Sequence, residues 1–163
     1  MKTLFLIRHA KSSWSAPDLK DEERPLNERG NRDAPMIARR MAQSWAAPDK
    51  IICSQALRAR ETAAIMSAFW WNERSIEIDG GLYDGSASSS LEIIARIPAE
   101  VNSLALVFHN PTITYLSNVL ASLSIPNVPT CGIVILKSPE NSWESVQPGK
   151  CELIDFDFPK RKR

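Results

Sequence analysis

The chain is poor in the residues that build metal sites and disulfide frameworks. It has two histidines and three cysteines in 163 residues. Cys53, Cys131 and Cys151 form no CxxC pair, and their number is odd. That argues against a zinc site or a set of disulfides and fits free thiols in a reducing cytoplasm. Long apolar runs are missing too: none reaches the roughly 18 residues of a spanning helix. The run Leu4–Ile7 stops at Arg8, too early for a signal-peptide core, so a cytoplasmic location is expected.

Charge of one sign is also lacking. Lys and Arg number 20 against 19 Asp and Glu, a formal net charge of +1. Such a field is too weak to argue for nucleic acid or a membrane surface as partner. The one dense basic run, Lys160-Arg161-Lys162-Arg163, reads as an anchor for an acidic partner or, as termini usually behave, as a solvated tail. Repeats, low-complexity segments and linkers are absent. The length suits one domain that can bury roughly 70% of its unfolded surface. A single domain over residues 1–158 with a basic tail over 159–163 is expected.

Hydrophobic patterning supplies the elements. Leu4–Ile7 is a short continuous apolar run, as in a strand buried on both faces. Asn27 is placed as an N-cap, with Ala34, Ile37, Ala38, Met41 and Trp45 at helical spacing after it. Ile51–Cys53 predicts a strand and residues 57–70 a helix. Ser75–Ile78 alternates weakly as a third strand. Ser88–Ile97 predicts a serine-capped helix, Leu104–Phe108 another buried strand, and Pro111–Leu123 a helix opening on proline. Ile133–Leu136 and one or two further strands close the chain. This alternation predicts an α/β fold, a three-layer α/β/α arrangement with a mostly parallel central sheet and antiparallel strands near the C-terminus.

Open parallel sheets bind ligands beyond the carboxyl ends of their strands, so the polar residues that follow each apolar run are the candidates. Arg8 and His9 follow the first run and His109 follows Phe108. Each histidine alone reads equally well as a half-buried ring bonded to a carbonyl. The pair, with an arginine beside the first, favours a site. Arg58 lies four residues beyond Ser54, at the start of a helix whose free N–H groups suit an anion. Alone it would read as a surface residue. Together these groups suit a dianionic phosphoryl group: guanidinium presents a planar fork of donors, a neutral imidazole can act as nucleophile, and a protonated one can donate to the oxygens. No carboxylate stands beside either histidine at metal-ligand spacing, so neither metal nor cofactor is called for. Rival phosphate motifs fail. Cys53 and Arg58 enclose one residue too few for a cysteine phosphatase loop. There is no GxxxxGK[ST] and no GxSxG.

Three blocks carry a family resemblance. Arg8-His9-Ala10 resembles the Arg-His-Gly signature of the histidine phosphatase superfamily. Ser54-Gln55-Ala56-Leu57-Arg58-Ala59-Arg60-Glu61-Thr62-Ala63 resembles its second block, and Phe108-His109-Asn110-Pro111 its third. Arg8-His9-Ala10-Lys11-Ser12-Ser13-Trp14, with Asp21, Arg24-Pro25-Leu26 and Arg29-Gly30, is similar to the SixA-type phosphohistidine phosphatases. The short stretch between the second helix and the strand before His109 leaves little room for the helical cap of larger members.

The resemblance implies that His9 is phosphorylated on a ring nitrogen and that Arg8, Arg58 and His109 complete the catalytic pocket. It also implies substrate contacts from Arg8, Arg24, Arg58 and Asn110. Arg24 equally reads as an ion-pair partner of Asp21 or Glu28. Lys11, Ser15 and the Asn110 backbone are weaker rim candidates. Two departures stand out. Ala10 replaces a glycine. Phe108 replaces another, and its ring is expected to narrow or shield the pocket. For a general acid, Asp21 and Asp84 are the substitutes on offer. The implied activity is metal-independent hydrolysis through a phosphohistidine intermediate, with phosphohistidine in signalling proteins as substrate. A small-metabolite phosphomonoesterase or mutase and a non-catalytic phosphate-binding module are the alternatives. The implied partner is thus a phosphorylated protein or a small phosphate ester.

Overall fold

A computed structural model describes residues 1–162. Its strands are β1 (Lys2–Arg8), β2 (Lys50–Cys53), β3 (Ile76–Ile78), β4 (Ser103–Phe108), β5 (Ile133–Ser138) and β6 (Glu152–Asp157). Its helices are α1 (Glu28–Ala42), α2 (Leu57–Met66), α3 (Ala87–Ala95) and α4 (Thr112–Ala121). The sheet runs β3-β2-β4-β1-β5-β6. The pairs β1–β4, β4–β2 and β2–β3 are parallel. β5 lies antiparallel to β1, and β6 to β5.

Strand side chains alternate between the faces of a sheet, and here both faces are apolar. Phe5, Ile7, Ile51, Ala105, Val107 and Ile133 point into one core, which Ile37, Met41, Ala59 and Met66 of α1 and α2 close. Leu4, Leu6, Ile52, Leu106, Phe108 and Val134 point into the other, closed by Ile93, Ile94, Ile113 and Leu116 of α3 and α4. This is the three-layer arrangement the sequence predicts. Among the described residues no helix is long and apolar enough to cross a membrane.

β1 leads to a helix on one face and β4 to a helix on the other. The crevice between the carboxyl ends of β1 and β4 is therefore a topological switch point, where such sheets hold ligands. α1 packs tightly there: the Asn27 side chain caps it by accepting from the Gly30 N–H at 2.9 Å. A Cβ on Gly30 would collide with the Lys11 carbonyl.

Element ends differ from expectation in four places. α1 stops at Ala42, and Trp45 packs on the core from the following turn, its N–H donating to the Met41 carbonyl at 2.8 Å. α2 continues past Met66 as a wider π-type turn over Ser67–Trp71, which buries Trp70 and Trp71. The cap of α3 is Ser86, whose side chain accepts from the Ser89 N–H, not Ser88. α4 begins at Thr112 with Pro111 before it, and ends at Ala121 because Ser122 turns left-handed (φ 51°).

Candidate active site

His9 directly follows β1 and is 7% exposed. Its N–H donates to the Phe108 carbonyl at 3.2 Å, which ties the end of β1 to the end of β4. Its Nδ1 lies 2.7 Å from the Ala10 carbonyl oxygen. A carbonyl only accepts, so Nδ1 carries the proton and Nε2 keeps a free lone pair. The turn is held from α2: the Ala10 N–H donates to the Thr62 hydroxyl (2.9 Å), which donates to the Arg58 carbonyl (2.7 Å). The Ala10 methyl, which stands where the Arg-His-Gly signature has glycine, is fully buried in the core.

The His109 ring lies 5.2 Å from that of His9, centroid to centroid. Its Nε2 meets the Ser54 hydroxyl at 2.7 Å, while that hydroxyl accepts the Ala56 N–H at 3.2 Å. That hydroxyl makes no other hydrogen bond among the described residues, so Nε2 is the acceptor that leaves no buried hydroxyl proton unmet, and His109 Nδ1 is then the donor. Arg58, in the first turn of α2, spends Nη1 on the Asp21 carbonyl (2.7 Å) and Nη2 on the Asp21 carboxylate (3.0 Å). Arg8 donates from Nη1 to the Val128 carbonyl at 2.9 Å. Both guanidiniums are thus anchored at their outer ends. Arg8 Nε, Arg58 Nε and His109 Nδ1 are buried without a partner. Leaving a buried donor unmet costs about 1–3 kcal/mol. All three groups stand close enough to His9 to lower its pKa, and three unmet donors around one imidazole suit an anion with several acceptor oxygens.

Electrostatics agree with a neutral nucleophile. Burial lowers the His9 pKa; the Ala10 bond opposes this, and His109, Arg58 and Arg8 push it further, to about 3. Burial, then Arg58, brings His109 down to about 4 against an opposing pull from Asp21. Without ligand, both rings are therefore neutral near pH 7, whereas the sequence reading has the second one protonated. This makes stability depend on pH. Above the ordinary value near 6.5 both states are neutral. Below it the unfolded chain binds protons that the folded chain refuses, so stability falls as pH falls. Between pH 7 and pH 5 the loss should be on the order of 2–4 kcal/mol for the pair. Asp21 titrates below that window. Urea unfolding at both pH values checks this, and His9→Ala should lose about half of the dependence; an unchanged slope would contradict a buried neutral pair.

Other candidates fall into place one by one. Arg24 is buried and pairs with Asp21, its Nε 3.2 Å from Oδ1, and its charge helps to lower the His109 pKa. It also donates to the Ser12 hydroxyl at 2.9 Å and lies 3.5 Å over the Trp14 ring. Of its two proposed ion-pair partners, Asp21 is the one engaged. Burial would raise the Asp21 pKa, but the Tyr83 hydroxyl, then Arg58 and Arg24, outweigh it and bring it to about 2. Asp21 is thus an ionised clamp, poorly suited to the general-acid role open to it from sequence. Asp84 is exposed. The Asn110 side-chain amide donates one N–H to Asn127, and its oxygen accepts from the Thr114 hydroxyl. Ser15 is exposed and bonded to Ser13. Lys11 lines a cleft beside Arg8. Phe108 does not shield the pocket: its position on β4 turns the ring into the opposite core, fully buried.

Sequence reasoning gave no role to Ser54, Thr62 or Tyr83. Ser54 was within reach, since it directly follows β2 as His9 follows β1. Tyr83 was not. Its hydroxyl donates to Asp21 at 2.7 Å across 62 positions, and its ring stands edge-on to His109 at 5.6 Å.

Paired imidazoles and guanidiniums at the switch point of a parallel sheet define a phosphoryl-transfer site. The chain belongs to the histidine phosphatase superfamily, branch 1, whose profile matches residues 4–104. An uncharacterised Mycobacterium tuberculosis protein is 34% identical, with 94% of this chain and all of the relative aligned. A chloroplastic Arabidopsis thaliana protein is 30% identical over 88% of this chain and 69% of its own length. Among solved structures, an Agrobacterium tumefaciens protein assigned as the phosphohistidine phosphatase SixA superposes with a TM-score of 0.84 at 30% identity, covering 97% of this chain and 98% of that one. A mycobacterial glucosyl-3-phosphoglycerate phosphatase shares the fold at TM-score 0.69 and 18% identity, covering 94% of this chain and 97% of that one. The protein is a phosphatase, a hydrolase similar to the SixA type.

Proposed function

We propose that the protein hydrolyses phosphohistidine on a partner protein through a phospho-His9 intermediate. The carrying observation is the set of three buried, unpartnered donors, Arg8 Nε, Arg58 Nε and His109 Nδ1, around an imidazole whose Nδ1 is committed to Ala10. His9 Nε2 attacks phosphorus in line, and the bond from phosphorus to the substrate nitrogen breaks. Water then attacks phospho-His9, releasing inorganic phosphate and restoring the lone pair. The three donors take up the phosphoryl oxygens, and fixed geometry supplies much of the acceleration.

The substrate class rests on the leaving group. Asp21 is ionised and clamped by two arginines and a tyrosine, which leaves it no proton to give an alkoxide. A protonated imidazole departs without one. The likeness to the Agrobacterium protein supports the same reading. We place this activity in a single unit over residues 1–158, working in the cytoplasm. A phosphohistidine protein and a panel of phosphometabolites, assayed side by side, test the substrate. The phosphohistidine protein should exceed every ester by at least about tenfold in kcat/KM, and a metabolite ester above it would sink this assignment.

A further inference from the structure

A second cleft, of about 350 Å³, adjoins the phosphoryl pocket and shares Arg8 with it. Its lining is cationic: Lys11, Arg29 and Lys160 join Arg8, against the single carboxylate of Asp33. Asp33 is taken up by Arg29 at 3.8 Å and Arg32 at 3.4 Å. Lys11 and Lys160 have no carboxylate partner among the described residues, and the Arg29 Nε is buried without a hydrogen bond.

The cleft is built into the frame of the site. Arg29 donates to the Thr130 hydroxyl at 3.2 Å. The next residue, Cys131, donates its N–H to the His9 carbonyl at 3.0 Å. Arg40 on α1 holds the C-terminal segment through Asp157 at 2.8 Å, which sets Phe158 and Pro159 as apolar surface beside the cations. Lys160 of the basic tail is thereby brought next to an arginine of the phosphoryl pocket.

We infer that this cleft binds a second acidic group of the substrate, a carboxylate lying next to the phosphoryl group in the bound state. The inference rests on the phosphatase reading above and adds to it what lies beyond phosphorus. Arg8 then contacts both anions, the phosphoryl oxygens on one side and the carboxylate on the other. The carboxylate has two sources, a small acid or an Asp or Glu side chain of a phosphorylated protein.

The test compares paired substrates. Phenyl phosphate is set against 3- and 4-carboxyphenyl phosphate, and a phosphohistidine peptide flanked by Asp and Glu against its Asn and Gln counterpart. One charge-assisted contact corresponds to about tenfold in kcat/KM, so the acidic member of a pair should lead by that factor. Lys160→Glu and Arg29→Gln should each bring the ratio toward one. A lead confined to the aryl pair identifies a small acid, and a lead in the peptide pair identifies an acidic protein segment. Ratios near one in both pairs, unmoved by the substitutions, overturn the inference. Should wild-type protein release phosphate from none of these and take no label on His9, the phosphatase reading fails instead. Calorimetry of the same pairs then decides the cleft, and equal Kd values within each pair overturn it.

Discussion

Replacing His9 by alanine should lower phosphate release by at least about 10⁴-fold, the scale on which removal of a nucleophile stops a covalent mechanism, and should abolish transfer of label from substrate to protein. The geometry offers no substitute. Cys53 is fully buried, and burial pushes its thiol up to about 12. The Ser54 hydroxyl is committed to His109 and to the Ala56 N–H. His109 stands opposite, but its Nδ1 is the proton-bearing nitrogen and Nε2 is occupied by Ser54. Phosphate release from a phosphohistidine protein, with acid-labile label counted on the enzyme, measures both effects. A variant that is folded, unlabelled and still near wild-type rate would end the mechanism. The same variant separates chemistry from binding. Arg8, Arg58 and His109 remain, so it should still bind phosphate or vanadate.

Strand ends made the core of the site legible from sequence. The histidines stand where continuous apolar runs stop, at Ile7–Arg8 and at Phe108, and parallel strands bring such ends to one edge. Register confirms this, with Arg8 opposite Phe108 and Cys53 opposite Val107. Arg58 was legible because the first turn of a helix after such a strand end faces the same edge. The two faces of the sheet were less so. Phe108 neighbours His109 in sequence, yet alternation turns its ring into the far core, which adjacency alone does not reveal.

The parts missed depend on contacts between distant segments. Asp21 is one residue of a polar stretch without periodicity, and its meaning comes from Arg58 and Tyr83, 37 and 62 positions away. The basic tail is another case. From sequence Lys160 is one of four consecutive cations; in the fold it lines a cleft with Arg8 because Arg40 pins the segment before it. Helix ends slipped by one to three residues where a choice among several serines, or a wider turn at Ser67–Trp71, was decided by packing and not by propensity.

Arg58→Ala should lower kcat/KM by roughly 10²–10³-fold, the usual cost of removing one preorganised charged donor. Only part of that is the lost Nε–H. Arg58 also helps hold Asp21 ionised and helps keep both histidines neutral. Its removal should raise the pKa values of Asp21, His9 and His109 together. The rate profile of the variant should therefore fall away on the acid side at higher pH than that of wild type, as His9 loses its lone pair to a proton. Arg58→Lys keeps a charge but not the fork. The three N–H groups of an ammonium radiate from a single nitrogen and cannot meet the Asp21 carbonyl, its carboxylate and the anion in the separate places Nη1, Nη2 and Nε occupy. Lysine should restore the pH profile more fully than the rate. Steady-state kinetics from about pH 3 to pH 8 on the three proteins, a range that spans the His9 value of about 3, measure this. A loss below about threefold in Arg58→Ala would remove Arg58 from the site, and a large loss with an unshifted profile would reduce its part to that of a hydrogen-bond donor alone.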